Sequence, residues 1–197
     1  MTDAQGKKLY SVPETYRIIV NAMRSIPGMK RARRSGEMTT PFMERIMLAV
    51  TEVNGCALCS YYHTRVSLEN GMSAEEIKRM LGGEFADAPE AELPAILFAQ
   101  HYADTRGMPS KEAWERILDV YGETGAYGVL AATRMIMMGN AFGIVWGSFF
   151  NRFRGKADPR SSLGYEIAQL ICTIPLVLAG MIHAGILRLM KKPVLTF

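Results

Sequence analysis

Apolar residues recur with helical spacing along nearly the whole chain, and alternating runs of the strand type are almost absent. Pro13 fits the first turn of a helix that the pattern ends at Ile26 to Gly28. Thr40 and Pro41 read as N-cap and first helical position of "FMERIMLAVTEV", which Asn54–Gly55 breaks. A new helix begins there and stops at Asn70–Gly71. Ser73 and Glu76 have the spacing of a capping box for a short helix ending at Gly82–Gly83. Further helices are predicted around 91–106, 110–121, 126–138, 140–153 and 163–190, with the loop "RGKADPRSS" before the last. The chain therefore reads as all-α, one domain over 1–197. "IMLAVTEVNGCALCSYY" and "VLAATRMIMMGNAFGIVW" share an outline of helix, small-residue break and helix. A degenerate duplication would produce it, and so would composition alone.

The segment "LICTIPLVLAGMIHAGIL", Leu170 to Leu187, is uncharged, about long enough to cross a bilayer, and followed by Arg188, Lys191 and Lys192. Pro175, His183 and the nearness of Glu166 and Gln169 argue against a span, as does the lack of a second one. The favoured reading is a helix buried in the core or in a subunit interface, apolar all round for that reason. With 197 residues, 49% hydrophobic and 21% charged, the chain is globular and large enough for one sizeable core. Fourteen methionines suit helical packing. The net charge of +4 is mild, and its densest runs, "KRARR" and "NRFRGK", read as solvated surface, so no nucleic-acid partner is expected. "MTDAQGKKLYSVPET" has no apolar core of a secretory signal, which makes the cytoplasm the expected address. Three cysteines are too few for a secreted disulfide scaffold.

The chemistry concentrates in "NGCALCSYYHT", residues 54 to 64. On a helix, Cys56, Cys59 and His63 fall within an arc of roughly 60°. An i,i+3 cysteine pair lies within bridging distance, and a cysteine in the first turn meets the partial positive charge of the helix end. His63, four residues after Cys59, can hold or relay its proton. Glu44 sits on the preceding helix, and a hairpin at Asn54–Gly55 could bring its carboxylate towards His63 to orient the imidazole. Spacing alone does not separate that role from a solvated surface glutamate. Glu52 occupies a different face of the same helix. A metal reading uses Cys56, Cys59 and His63 as ligands, but structural zinc takes four and no second CxxC or HxxxH is present. His101 and His183 read as ordinary core or surface histidines, and Cys172 as a small buried hydrophobe. A third reading is a redox switch without turnover.

Residues Pro41 to Leu81, "PFMERIMLAVTEVNGCALCSYYHTRVSLENGMSAEEIKRML", resemble the core of the AhpD-like alkylhydroperoxidase and carboxymuconolactone decarboxylase family. Glu44, the CxxCxxxH of Cys56, Cys59 and His63, and the exit "LENGMSAEEI" all match its pattern. The resemblance becomes diffuse through "LPAILFAQHYADTRGMPSKEAWERI" and does not reach the last fifty or so residues. It implies an all-helical fold, homo-oligomers such as trimers or hexamers, and a thiol-dependent peroxidase that needs no cofactor beyond a Cys56–Cys59 disulfide. By that resemblance Glu44 and His63 deprotonate Cys59 through a water. Cys59 then attacks a hydroperoxide, Cys56 resolves the sulfenic acid, and a lipoyl or thioredoxin-like dithiol protein restores both thiols. The helix terminus instead favours Cys56 as first nucleophile towards a disulfide substrate, so the order stays open. The decarboxylase branch does not rely on a CxxC pair, and retention of both cysteines argues against that chemistry. Leu58 is apolar where some members carry a polar residue. "WGSFFNRF", Trp146 to Phe153, reads as either a substrate entrance or a buried interface.

Overall fold

In a computed structural model, Lys7 and residues 9–197 are described, and no strand occurs among them. Residues 1–6 and 8, which belong to the stretch read as lacking a secretory signal, lie outside the described residues. The order is α1 (Val12–Arg34), α2 (Thr40–Asn54), α3 (Ala57–Glu69), α4 (Ala74–Met80), a 3₁₀ turn (Glu90–Glu92), α5 (Leu93–Asp104), α6 (Lys111–Phe153) and α7 (Leu163–Leu189). The all-α reading holds.

Local signals explain most boundaries, and tertiary packing explains the departures. Ser11 caps α1 in a reciprocal capping box with Glu14, and Pro13 lies in the first turn. The helix does not end at Ile26 to Gly28 but runs through Pro27 to Arg34. Ala22, Ser25, Met29 and Ala32 form one buried face on both sides of the proline. Burial of that face outweighs an interior proline, which costs about 3 kcal/mol in an isolated helix. Thr39, not Thr40, caps α2, its Oγ1 accepting from Phe42 N–H at 3.3 Å. Ser73 caps α4, but the Glu76 carboxylate accepts from Arg45 at 2.7 Å instead of closing the box.

Helix α6 breaks where the pattern lapses after residue 121, at Gly122 with φ 61° and ψ −178°. Beyond it, the helix is continuous through Gly139–Asn140, so the break on which the duplication outline depended is absent. Asn140 is fully buried and hydrogen-bonded to α2, which gives its side chain partners without opening the helix. α6 is the central element, packed against α1, α2, α3, α5 and α7. Ile46, Val50, Leu130, Met137 and Tyr102 lie in this main core, while Leu48, Ile77, Met80 and Ile96 form a smaller one beneath α4.

Burial of the long C-terminal helix inside the chain is not what the structure has. In the most apolar 18-residue stretch of α7 only 11% is buried, against 72% for that of α6. The side of α7 that meets α1 carries its polar groups. Gln169 donates to Tyr10 O at 2.7 Å, Tyr16 and His183 Nδ1 are 2.9 Å apart, and Glu166 pairs with Arg152 at the end of α6.

Candidate active site

The turn between α2 and α3 is built by a few residues with special conformations. Gly55 ends α2 in the left-handed region, φ 65° and ψ 45°, where a side chain would be strained, and its N–H returns to Thr51 O at 2.9 Å. Cys56 follows in an extended conformation as the N-cap of α3, its Sγ accepting from Cys59 N–H at 3.2 Å. Cys56 and Cys59 form a disulfide with Cα atoms 5.3 Å apart. Cys56 has no exposed surface, whereas Cys59 keeps 8%.

The hairpin brings Glu44 and His63 together. His63 Nδ1 donates to Glu44 Oε2 at 2.7 Å, and both side chains are buried. Tyr62 stands edge-on to the imidazole, ring centroids 5.1 Å apart. Glu52 points elsewhere on α2 and pairs with Lys7 at 3.1 Å. The four residues singled out in the sequence thus form one constellation: a disulfide at the head of α3, a histidine one turn beyond Cys59, and a carboxylate on that histidine.

A second set of residues holds the constellation, and the sequence reading missed it. Asn54 accepts from Tyr10 OH and donates to Asn140 Oδ1 at 2.9 Å, while Asn140 Nδ2 donates to Thr51 Oγ1 at 3.1 Å. This buried network ties the turn to α6. Arg160 donates to Gly55 O at 3.3 Å and is held by Asp158 at 2.8 Å. Burial pushes the Asp158 carboxyl up, but hydrogen bonds from Arg160 and Ser148 bring it below its ordinary value. Gly143 of α6 lies against the sulfurs. A Cβ there would stand 2.6 Å from Cys59 Sγ and 2.8 Å from Cys56 Sγ, closer than van der Waals contact allows. The one signal that could have pointed here is the "GNAFG" pair of glycines flanking a buried asparagine.

The remaining candidates stand apart. His101 Nε2 accepts from Ser110 N–H at 3.2 Å, His183 lies on α7 against Tyr16, and Cys172 is a half-buried free thiol on α7. Among the described residues, no group of three His, Cys, Asp or Glu side chains is placed to hold a metal ion.

The model of the carboxymuconolactone decarboxylase family matches residues 27–101. That segment is similar to this family, the AhpD-like one. The family segment contains Glu44, Cys56, Cys59 and His63, and ends within α5. It covers less than half of the chain, and Asn140, Gly143 and Arg160 lie beyond it. No curated protein and no solved structure gives a significant match to the chain.

Proposed function

We propose that the chain is a thiol-dependent peroxidase that reduces organic hydroperoxides and is recycled by an external dithiol. The observation that carries this reading is the buried Glu44–His63 pair one helical turn beyond the cysteine that keeps some exposure. The Glu44 carboxylate holds a proton on Nδ1, which leaves Nε2 to accept the Cys59 proton directly or through a water. The Cys59 thiolate attacks the distal peroxide oxygen and the O–O bond breaks. The alkoxide leaves as an alcohol with the proton that His63 held, and Cys59 becomes a sulfenic acid. The Cys56 sulfur then attacks Cys59 Sγ, hydroxide departs as water, and the disulfide forms. Two electrons from a dithiol such as a lipoyl or thioredoxin-like protein reopen it.

The burial difference supports Cys59 as the sulfur that meets both peroxide and donor. The helix terminus at Cys56 fits the same assignment. When a donor thiolate attacks Cys59, the leaving group is Cys56, whose thiolate the α3 N-terminus stabilises through Cys59 N–H. The helix end thus favours departure of Cys56 rather than its attack on the peroxide. Such a cycle belongs in a reducing compartment, where the donor dithiol is maintained.

The test is a thiol count on the reduced full chain before and after one equivalent of cumene hydroperoxide, followed by turnover with dithiothreitol. Loss of two thiols per chain with one equivalent of alcohol is expected, abolished in Cys59→Ser. Glu44→Gln and His63→Ala should slow the step by about 10²–10⁴-fold, the usual range for a lost acid–base group. Disulfide formation without repeated turnover would instead identify a redox switch. Unchanged thiols would end the peroxidase reading.

A further inference from the structure

Arg134 of α6 is only 3% exposed, and its hydrogen bonds all go to neutral acceptors. Nε donates to Tyr102 OH at 2.7 Å, while Nη1 donates to Ser25 Oγ at 3.1 Å and to Val194 O at 3.0 Å. Among the described residues no carboxylate pairs with it. A charge taken out of water is costly unless an opposite charge answers it, and arginines this deep are normally paired. The field of Arg134 is felt nearby. Burial first, and then the Arg134 charge, hold the Arg24 guanidinium below its ordinary value.

Beside Arg134, where α1, α5 and α6 meet, lies a cavity of about 10 Å³, room for one body the size of a water. Its polar lining is Arg17, Asn21, Tyr102, Arg106 and Arg134. The bonds of Arg134 use its Nε proton and both on Nη1, and leave the two on Nη2. Tyr102 accepts from Arg134 and keeps its own O–H proton to donate. Arg106 is neutralised by Glu14 at 2.7 Å. The exposed Arg17 donates to Arg106 O at 3.0 Å and, among the described residues, has no carboxylate partner. The lining thus holds three guanidinium groups, and two of them are unanswered.

We infer that this cavity binds a monatomic anion of the halide class, chloride in ordinary buffers. A water there would satisfy donors but leave the buried charge unanswered. A halide accepts from several N–H and O–H groups at once and supplies the opposite charge. Phosphate, sulfate and carboxylates are too large for a space that holds one water. Ile18 and Met137 complete the wall, and their apolar surface strengthens the attraction by excluding water. The anion binds the folded arrangement of three helices and not the unfolded chain, so it stabilises the fold as its concentration rises.

The experiment is thermal melting of the full chain across a chloride series at constant ionic strength, with gluconate, too large for the cavity, making up the difference. Tm should rise by about 3–5 °C when chloride reaches about ten times its dissociation constant. Bromide should replace chloride, and crystals grown in bromide should show its anomalous signal beside Arg134. Arg17→Gln should raise the halide dissociation constant by about fivefold, the effect of one exposed charge, and Arg17→Lys should restore most of the affinity. Arg134→Met should abolish the chloride dependence; if that variant does not fold, Arg17→Gln carries the test. Equal melts in chloride and gluconate, with water in the cavity, would overturn the proposal. A chloride dependence unchanged in these variants would overturn it in favour of binding elsewhere, and stronger stabilisation by phosphate or acetate than by chloride would overturn the halide assignment.

Discussion

Among the described residues two helices, α6 and α7, are long and apolar enough to cross a membrane, where the sequence reading expected one, and they occupy opposite situations. The less apolar one, α6, runs through the middle of the molecule and touches five other helices. The more apolar one, α7, lies on the outside with its greasiest side turned away from the body. Hydropathy states how much a helix gains from being covered. It does not state what covers it. In α6 the cover comes from the same chain, and the helix also carries Asn140, which bonds to α2, and Gly143, which lies against the two sulfurs. In α7 the polar side is spent on α1 and α6, so the apolar side is left for contact beyond the chain.

Three measurements would sharpen or break that contrast. The largest effect on stability is expected in α6. Leu130→Ala removes a fully buried side chain and should cost about 3 kcal/mol, within the 2–5 kcal/mol range for such deletions. Ile174→Ala on α7, 70% exposed, should change the stability of the monomeric chain by less than about 0.5 kcal/mol. Denaturant melts at high dilution check both, and equal losses would mean that α7 is a core helix after all.

Next comes Gly143→Ala. Its methyl group would overlap both sulfurs, and only an open dithiol lets Cys59 move aside. The thiol–disulfide equilibrium against a dithiothreitol buffer should shift towards dithiol by about tenfold, roughly 1.4 kcal/mol. Gly147→Ala is the control, because a Cβ there meets Leu58 Cβ at an ordinary 3.8 Å. Equal behaviour of the two variants would remove α6 from the redox centre.

The smallest effect, and the one that depends on pH, lies at the junction of the two helices. Arg152 donates two hydrogen bonds to the fully buried Glu166 and holds its carboxyl below the ordinary 4.5. A depressed folded pKa contributes stability above the unfolded value and loses it as pH falls through the folded one. Arg152→Ala should therefore lower stability slightly at pH 7, through the lost charge-assisted bonds, with the deficit shrinking in acid below pH 4.5. Thermal melts between pH 7 and 3 would show the two proteins converging. A constant gap would assign the effect to packing alone.

Much of the site was legible without coordinates because it is local. CxxCxxxH is read on one helix turn by turn, and the Asn54–Gly55 break announces the hairpin that carries Glu44 to His63. The starts of α1 and α4 and the end of α2 were legible for the same reason, from Pro13, Ser73 and Asn54–Gly55, since each of these signals acts within its own helical turn. Pro27 and the Gly139–Asn140 pair were misread because their local preference for a break is outweighed by partners far away in the chain. Asn140 finds Thr51 and Asn54, and the α1 face around Pro27 finds the core.

By itself, then, the sequence determined an all-helical chain, a CxxC pair at the start of a helix with a histidine one turn beyond, and a glutamate on the preceding helix whose spacing left it open to either a site role or a surface one. These depend on backbone periodicity and on contacts within one supersecondary unit. Only the tertiary structure decided that α6 closes over the sulfurs at Gly143 and that Tyr10, Asn140 and Arg160 hold the turn. It alone decided that α7 faces outward. Those outcomes depend on which surfaces meet over long stretches of chain, and burial is a property of the assembled whole that no single segment encodes.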